Sequence, residues 1–294
     1  MGDIAVDYTS TGYLDKHLGV SRKKIDATIV RAIVTRHLAI EFPNTLLSPL
    51  HSTFLFRQLR HLELDCVRIQ EVLILPYLEQ IERLEIALGS IPKYSLNVDL
   101  PLTHTLQWLE LRYSTAIWML GKTFKALRVF TVTYPSKDHF RHEGLYVGLP
   151  ACTTLTLVDC SADYYSFFSC SNVQNVHLIL YTSTLLQTSH LAAFNSLHDF
   201  LINLSCLQNL DMTVPRVLGL DSLIDFVFCG ASEHGVWRDI RSVEVGVWFG
   251  TLSESEASDF IDQTVGHQRQ HYEKWWKSFT VAREKSKVIV RASM

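Results

Sequence analysis

The sequence predicts a curved α/β solenoid of short parallel strands with irregular repeats and a helical C-terminal cap, on three observations. An apolar pattern recurs along the chain, the recurrences come at repeat-like intervals, and the two longest intervals carry helical periodicity. The pattern is clearest in Phe56 to Ile69, FRQLRHLELDCVRI, with apolar residues at Phe56, Leu59, Leu62 and Leu64. It returns as Leu78, Ile81, Leu84, Ile86, then as Leu106, Leu109, Leu111 with Thr103 in the first slot, and as Phe124, Leu127, Phe130, Val132. Four more follow: Leu149, Cys152, Leu155, Leu157; Cys170, Val173, Val176, Leu178; Leu204, Leu207, Leu210, Met212; and Trp237, Ile240, Val243, Val245. A unit this short cannot bury its own apolar face, so each must stack on its neighbours.

The last two anchors of each unit have one residue between them, so both point to the same side of a short extended segment. Leu62, Leu84, Leu109, Phe130, Leu155 and Val176 follow one another at 21 to 25 residues, and the steps to Leu210 and Val243 are 34 and 33. The longer steps leave room for a helix on the outer side. In the first, Leu191, Phe194, Leu197, Leu201 and Leu204 step by three and four, as one helix face must. In the second, Asp221 is the expected N-cap of LIDFVF and Gly230 its stop. A continuous helical array is disfavoured because Gly89, Pro135 and Pro215 sit just past the anchors, where a strand and turn fit.

From Phe56 to Phe249 these residues resemble the leucine-rich repeat superfamily, and their irregular repeats most resemble those of F-box/LRR substrate receptors of ubiquitin ligases. The third residue after the strand pair is commonly Asn or Cys in that family. Here Cys160 fits, while Val67, Gly89, Ser114, Pro135, Tyr181, Pro215 and Trp248 fill the other slots. The resemblance implies a non-catalytic protein-interaction scaffold that binds a protein partner on its concave face. It also implies a ubiquitin-ligase adaptor as a second partner wherever an F-box is present. Residues 1 to 55 show no L-P-x-E-I-type opening and no Trp, so the chain is expected to be part of a longer F-box protein or to work without one.

The ends differ from the middle. Residues 1 to 20 are polar and unpatterned, and a loose segment is expected there. Residues 21 to 55 read as an N-terminal capping unit: Ile25, Ile29 and Ile33 fit a helical stripe, while Leu38 and Ile40, 24 residues before Leu62, fit a degenerate first repeat. The solenoid proper is expected over 56 to 252. For 253 to 294 the expectation is a helical cap with a basic tail, opened by the capping box Ser253 and Glu256. Its inner face would run through Ala257, Ile261, Val265, Gln268, Tyr272, Trp275 and Phe279 to about Lys285. Acids crowd its start, and Lys274, Lys277, Arg283, Lys285 and Lys287 its end, an order that suits a helix dipole better than nucleic-acid binding.

The chain has 294 residues, 47% of them hydrophobic, with a net charge of -3. That balance suggests neither nucleic acid nor an anionic membrane as partner, and no apolar run reaches the length of a membrane-spanning helix. The N-terminus lacks a secretory signal, and Val6 stands where myristoylation wants Ser or Thr, so the expected place is cytosol or nucleus. The six cysteines lack C-x-x-C spacing, and several fall at or beside core positions, as reduced thiols do. No phosphate loop, G-x-S-x-G elbow or dinucleotide fingerprint is present. Catalytic residues, cofactors and metal ligands are therefore expected to be absent. The alternative is a metal-dependent or other enzyme built on His139 and His142 in DHFRHE; the pair His267 and His271 likewise lacks further ligands in register.

Stacking the repeats by register also predicts the polar face. Neighbouring strands lie about 4.8 Å apart, so equivalent positions form columns. The column between the anchors reads Glu63, Glu85, Glu110, Thr131, Thr156, His177, Asp211, Glu244, and Trp108 and Arg112 flank it. Successive glutamates oppose strand stability through propensity and like-charge proximity. Glu63, Glu85, Trp108, Glu110, Arg112, His177, Asp211 and Glu244 are therefore the expected partner-binding residues, for a segment of basic character.

Overall fold

Strand ladders, rather than helices, carry the chain. The computed structural model describes residues 4–7, 37–41, 60–65, 79–87, 100–113, 117–135, 146–160, 165, 168–180, 190–215, 220–230, 237–248, 254–266, 269–284 and 287–294. The fold is mixed α/β, with mostly parallel strands and few helices among these residues. It divides into two units, Met1–Ala151 and Cys152–Met294.

In the N-terminal unit six strands follow in sequence order: β1 (Ile4–Asp7), β2 (His37–Glu41), β3 (His61–Asp65), β4 (Arg83–Ala87), β5 (Trp108–Arg112) and β6 (Val129–Thr133). All pair parallel, and Leu38, Leu62, Leu84, Leu109 and Phe130 stand opposite one another in register. A short strand, β7 (Val147–Gly148), closes the unit. Leu62, Leu84, Ile86, Leu109, Leu111, Phe130 and Val132 are fully buried, so the alternation read from the sequence is the alternation of the pleat.

The C-terminal unit repeats the arrangement with β8 (Thr154–Val158), the short β9 (Phe168–Ser169), β10 (Asn175–Ile179), β11 (Asn209–Pro215) and β12 (Ser242–Trp248). Here β8, β10, β11 and β12 pair parallel, with Leu155, Val176, Leu210 and Val243 in register and buried. The expected helix in the first long interval is α1 (His190–Ile202), whose Leu197 and Leu201 are buried. In the second, α2 (Leu220–Asp225) runs into a π-turn at Phe226–Gly230. Asp221 lies inside the first turn of α2 rather than at its N-cap, because the helix opens one residue earlier, on the buried Leu220.

One carbonyl per rung ties each strand to the next. The residue just before a strand accepts two amides from the following rung: Arg60 O takes Glu82 and Arg83 N–H, Glu82 O takes Gln107 and Trp108, and Gln107 O takes Arg128 and Val129. Thr153, Gln174 and Gln208 do the same in the C-terminal unit, at 2.6–3.1 Å. At the strand exits the chain turns through left-handed residues, Tyr113 (φ 51), Tyr134 (φ 48) and Asp159 (φ 53). The N–H of Tyr113 donates to Thr133 O at 2.8 Å and that of Asp159 to Ile179 O at 2.7 Å, so the ladder is carried one residue into the turn.

Two expectations for the chain ends are corrected. Residues Ile4–Asp7 form a strand in register with β2, Ile4 opposite Leu38; the run IAV has the β-branched, apolar character that a sheet edge accepts. Likewise β2 falls on the degenerate repeat Leu38 and Ile40. At the other end, helical structure stops at Tyr272, after α3 (Glu254–Phe260), a π-turn at Ile261–Gly266 and α4 (Arg269–Tyr272). An antiparallel hairpin follows, β13 (Ser278–Glu284) and β14 (Lys287–Ser293), with β14 pairing onto β12. Val288, Ile289 and Val290 favour a strand, and the hydrogen-bonding edge of β12 gains more from a strand than from a helix laid across it.

Leaving the helix at Tyr272 changes which tryptophan is inside. Trp275 is 38% exposed, whereas Trp276 is 4% exposed and donates its indole N–H to Phe228 O at 2.9 Å. Tyr272 and Phe279 complete an aromatic cluster on Phe228, and Tyr272 OH donates to Asp225 Oδ1 at 3.0 Å. Cys152, Cys160, Cys170 and Cys229 are buried, and burial pushes the Cys170 thiol up to about 12. No described helix is long and apolar enough to cross a membrane. Residues 136–145, with His139 and His142, and the capping-box residue Ser253 lie outside the described residues, as does His267.

Two measurements test this packing. Trp276→Ala should destabilise the protein by about 3–5 kcal/mol, as removal of a buried aromatic does, while Trp275→Ala should stay within about 0.5 kcal/mol; chemical unfolding of both variants decides. Asp159→Ile should cost about 1–2 kcal/mol or more, the strain of a side chain in the left-handed region, and Asp159→Gly should cost less than Asp159→Ile in the same assay.

Candidate interaction face

The polar column predicted between the anchors exists in both units, and the two parts differ in construction. In the N-terminal unit Glu63, Glu85 and Glu110 stand opposite one another on β3, β4 and β5. Glu85 is not an exposed docking carboxylate, as the sequence suggested: it is 7% exposed and sits at the centre of a network. Its Oε1 lies 2.9 Å from His61 Nε2 and accepts from Arg83 Nε at 2.8 Å, with Arg83 NH2 at 2.7 Å; Arg112 NH2 reaches Oε2 at 3.5 Å. The buried stem places the carboxylate among three bases, which supply donors that water would otherwise supply. The hydrogen bond from His61 and the charge of Arg83 outweigh burial and hold the Glu85 carboxyl down at about 2.

The neighbours of Glu85 are more open. The side chains of Glu63 and Glu110 are 33% and 23% exposed, and Arg112 Nε lies 3.4 Å from Glu110 Oε1. Trp108, the expected aromatic anchor, carries Arg83 on its ring face at 4.3 Å, and its indole nitrogen is buried without a hydrogen-bond partner. This stacking holds the guanidinium flat and aims its N–H groups at Glu85.

His61, Glu63 and Glu85 present donor atoms within 4.8 Å of one another, a spacing that a divalent ion could bridge. Arg83 and Arg112 already engage both oxygens of Glu85. A cation would have to displace them against their charge, so the set is chemically an ion-pair network.

In the C-terminal unit His177, Asp211 and Glu244 stand in register on β10, β11 and β12. His177 Nδ1 lies 2.7 Å from Asp211 Oδ2. That bond, opposed by partial burial, raises the proton affinity of His177 above the usual 6.5. Glu244 is gripped by Arg291 of β14, Nε to Oε2 at 2.8 Å and NH2 to Oε1 at 3.3 Å. Beside this column runs a neutral one: Asn209 Nδ2 donates to Asn175 Oδ1 at 2.7 Å and Ser242 Oγ to Asn209 Oδ1 at 2.8 Å.

The structure thus brings Glu63, Glu85, Trp108, Glu110 and Arg112 together in one unit, and His177, Asp211 and Glu244 in the other. Sequence reasoning missed Arg291, because β14 was read as a basic tail. The β-branched run Val288, Ile289, Val290 was the available signal. It also missed the Asn175, Asn209 and Ser242 ladder as a functional element, although the three occupy one column in the repeat alignment.

Glu85 makes the stability of the protein sensitive to acid. Its folded pKa lies below the usual 4.5, so its stabilising contribution is complete above about 4.5 and disappears as the pH falls towards about 2. Urea midpoints measured across that window should fall, and Glu85→Gln should remove that part of the slope. Glu85→Ala should be destabilising at neutral pH by up to about 3 kcal/mol, because it strands two arginines.

No family model matches the chain, and no curated protein matches it, so the geometry of this face stands as the basis for a functional reading.

Proposed function

We propose that the chain is a non-catalytic protein-interaction scaffold, a curved solenoid of leucine-rich-repeat type that docks a protein partner on the polar face of its strands. The observation that carries the reading is the register of that face. Buried anchors and outward polar residues alternate strand after strand, so side chains far apart in sequence line up in columns. Such rung-by-rung surfaces are what stacked repeats offer a partner. The carboxylates Glu63 and Glu110 favour a partner segment of basic character, with Trp108 and Arg83 as the rigid element beside them. The repeat intervals and the resemblance to F-box/LRR proteins support a substrate-receptor role in ubiquitin ligation, in cytoplasm or nucleus.

The test is capture from the native cell with wild-type chain and with Glu63→Lys/Glu110→Lys, scored for ligase subunits and for other proteins. Glu85 is left intact because its loss would act through the fold. The wild type should retain a partner that the double variant loses at low salt, with both proteins melting alike. Wild-type association should slow as salt rises from about 0.01 M to about 0.15 M, where the screening length shrinks from about 30 Å to about 8 Å. Equal capture by both proteins would remove this face from the proposal.

A further inference from the structure

The strands of the C-terminal unit end on β13, and among the described residues no strand pairs with its outer edge. Which backbone groups that edge presents follows from the other side of the hairpin. The N–H of Met294 donates to Arg241 O at 2.9 Å, one step beyond the pair Ser293 and Ser242. In an antiparallel ladder successive residues turn their N–H and C=O to alternate sides. Val288, Val290 and Ala292 therefore bond to β12, whereas Lys287, Ile289, Arg291 and Ser293 bond to Glu284, Ala282, Thr280 and Ser278 of β13. The backbone groups of Phe279, Val281 and Arg283 point away from the hairpin, and among the described residues no backbone bond from outside it reaches them.

Sheet edges are normally blunted by short length, a proline, a bulge or a charge along the strand. β13 is seven residues long, SFTVARE, without proline, and its register with β14 runs unbroken from Ser278 to Glu284. Its charges, Arg283 and Glu284, stand at the hairpin end, and Glu284 already has Arg291 NH2 at 3.6 Å. Phe279, Val281 and Arg283 share one side of the strand. Phe279 is packed into the aromatic cluster with Phe228 and Tyr272, while Val281 beside it stays half-buried.

We propose that β13 is a homodimerisation edge: a second copy of this chain pairs with it antiparallel about a two-fold axis at Val281, so that the sheet continues from one copy into the other. What selects a second copy is that the edge is complementary to itself in one register. With the axis at Val281, Val281 meets its counterpart and Phe279 meets Arg283, so every outward-facing residue gains a partner and each pair exchanges two hydrogen bonds. The same register sets Thr280 against Ala282 and Ser278 against Glu284, with no like charges opposed. Moved to Thr280, the axis would set Arg283 against Lys277; moved to Ala282, it would carry Phe279 past the end of the second strand. An axis between two residues would set one face of the strand against the other. The interface lies in the C-terminal unit and is independent of the partner face on β3 to β5.

The experiment is sedimentation of the full chain from about 1 μM to about 1 mM, with charge variants at the axis. The wild type should pass from monomer to dimer over that range. Val281→Lys and Val281→Glu each set two like charges on the axis, and each alone should weaken dimerisation by at least about tenfold, equivalent to about 1.4 kcal/mol. Mixed in equal amounts the two variants should recover that loss, because a two-fold axis at residue 281 brings their opposite charges together. Amide hydrogen exchange of the wild type reads the register directly. Phe279, Val281 and Arg283 should exchange at least about tenfold more slowly at the concentrated end, while Thr280 and Ala282, bonded to β14, should not change. A wild type that stays monomeric, a dimer that tolerates both variants, or a mixture of folded variants no tighter than its components would each overturn the proposal. So would concentration-dependent protection that spares Val281.

Discussion

The structure depends on a carbonyl that accepts two amides. Parallel strands have no hairpin turn to set their register, and a slip of one residue would turn every anchor outward. At six of the described rungs the residue just before the strand receives both the last loop amide and the first strand amide of its successor, as Arg60 does from Glu82 and Arg83. This fork fixes where the next strand begins. Burial of pairs such as Leu84 and Ile86 then rewards only that starting point, with about 1.5–3 kcal/mol for each fully buried aliphatic side chain. The columns of polar residues are a by-product of the same constraint, since side chains that share a register must share a face.

On that common geometry the two units reach different electrostatic arrangements. In the N-terminal unit the central carboxylate is enclosed by His61, Arg83 and Arg112, which leaves Glu63 and Glu110 as its accessible acids. In the C-terminal unit the bases stand at the outside of the row and the acids meet in the middle. Both arrangements hold their carboxylates with bases of the protein itself, the first by enclosure and the second at a more exposed surface. The difference arises from which strand carries the base: Arg83 shares a strand with Glu85, but Arg291 comes from the antiparallel β14.

The strands were legible in the sequence because an anchor pair with period two, repeated at 21 to 25 residues, has few other physical readings. Leu62, Leu109 and Leu155 lie where the pattern puts them. The C-terminus was misread because Tyr272, Trp275 and Phe279 step like a helix face while Phe279, Val281, Val288 and Val290 also suit strands. What decided between them is the need to cover β12, a tertiary demand that no local window contains. The columns could be assigned from sequence, but the state of Glu85 could not. Whether a glutamate is exposed or enclosed depends on the rotamers of Arg83 and Arg112 and on the ring of Trp108 that braces one of them.

Enclosure of Glu85 alters how substitutions on this face will read out. A residue-by-residue alanine survey scored only by partner capture would rank Glu85 among the strongest contacts, since its loss unties two arginines and releases the guanidinium held over Trp108. The same survey scored by expression level would rank it as a folding residue. Sequence drift is expected to follow the second score: Glu85, Arg83 and Arg112 are coupled more tightly than the more exposed Glu63 and Glu110, which have contacts to His61 and Arg112 at 3.4 Å.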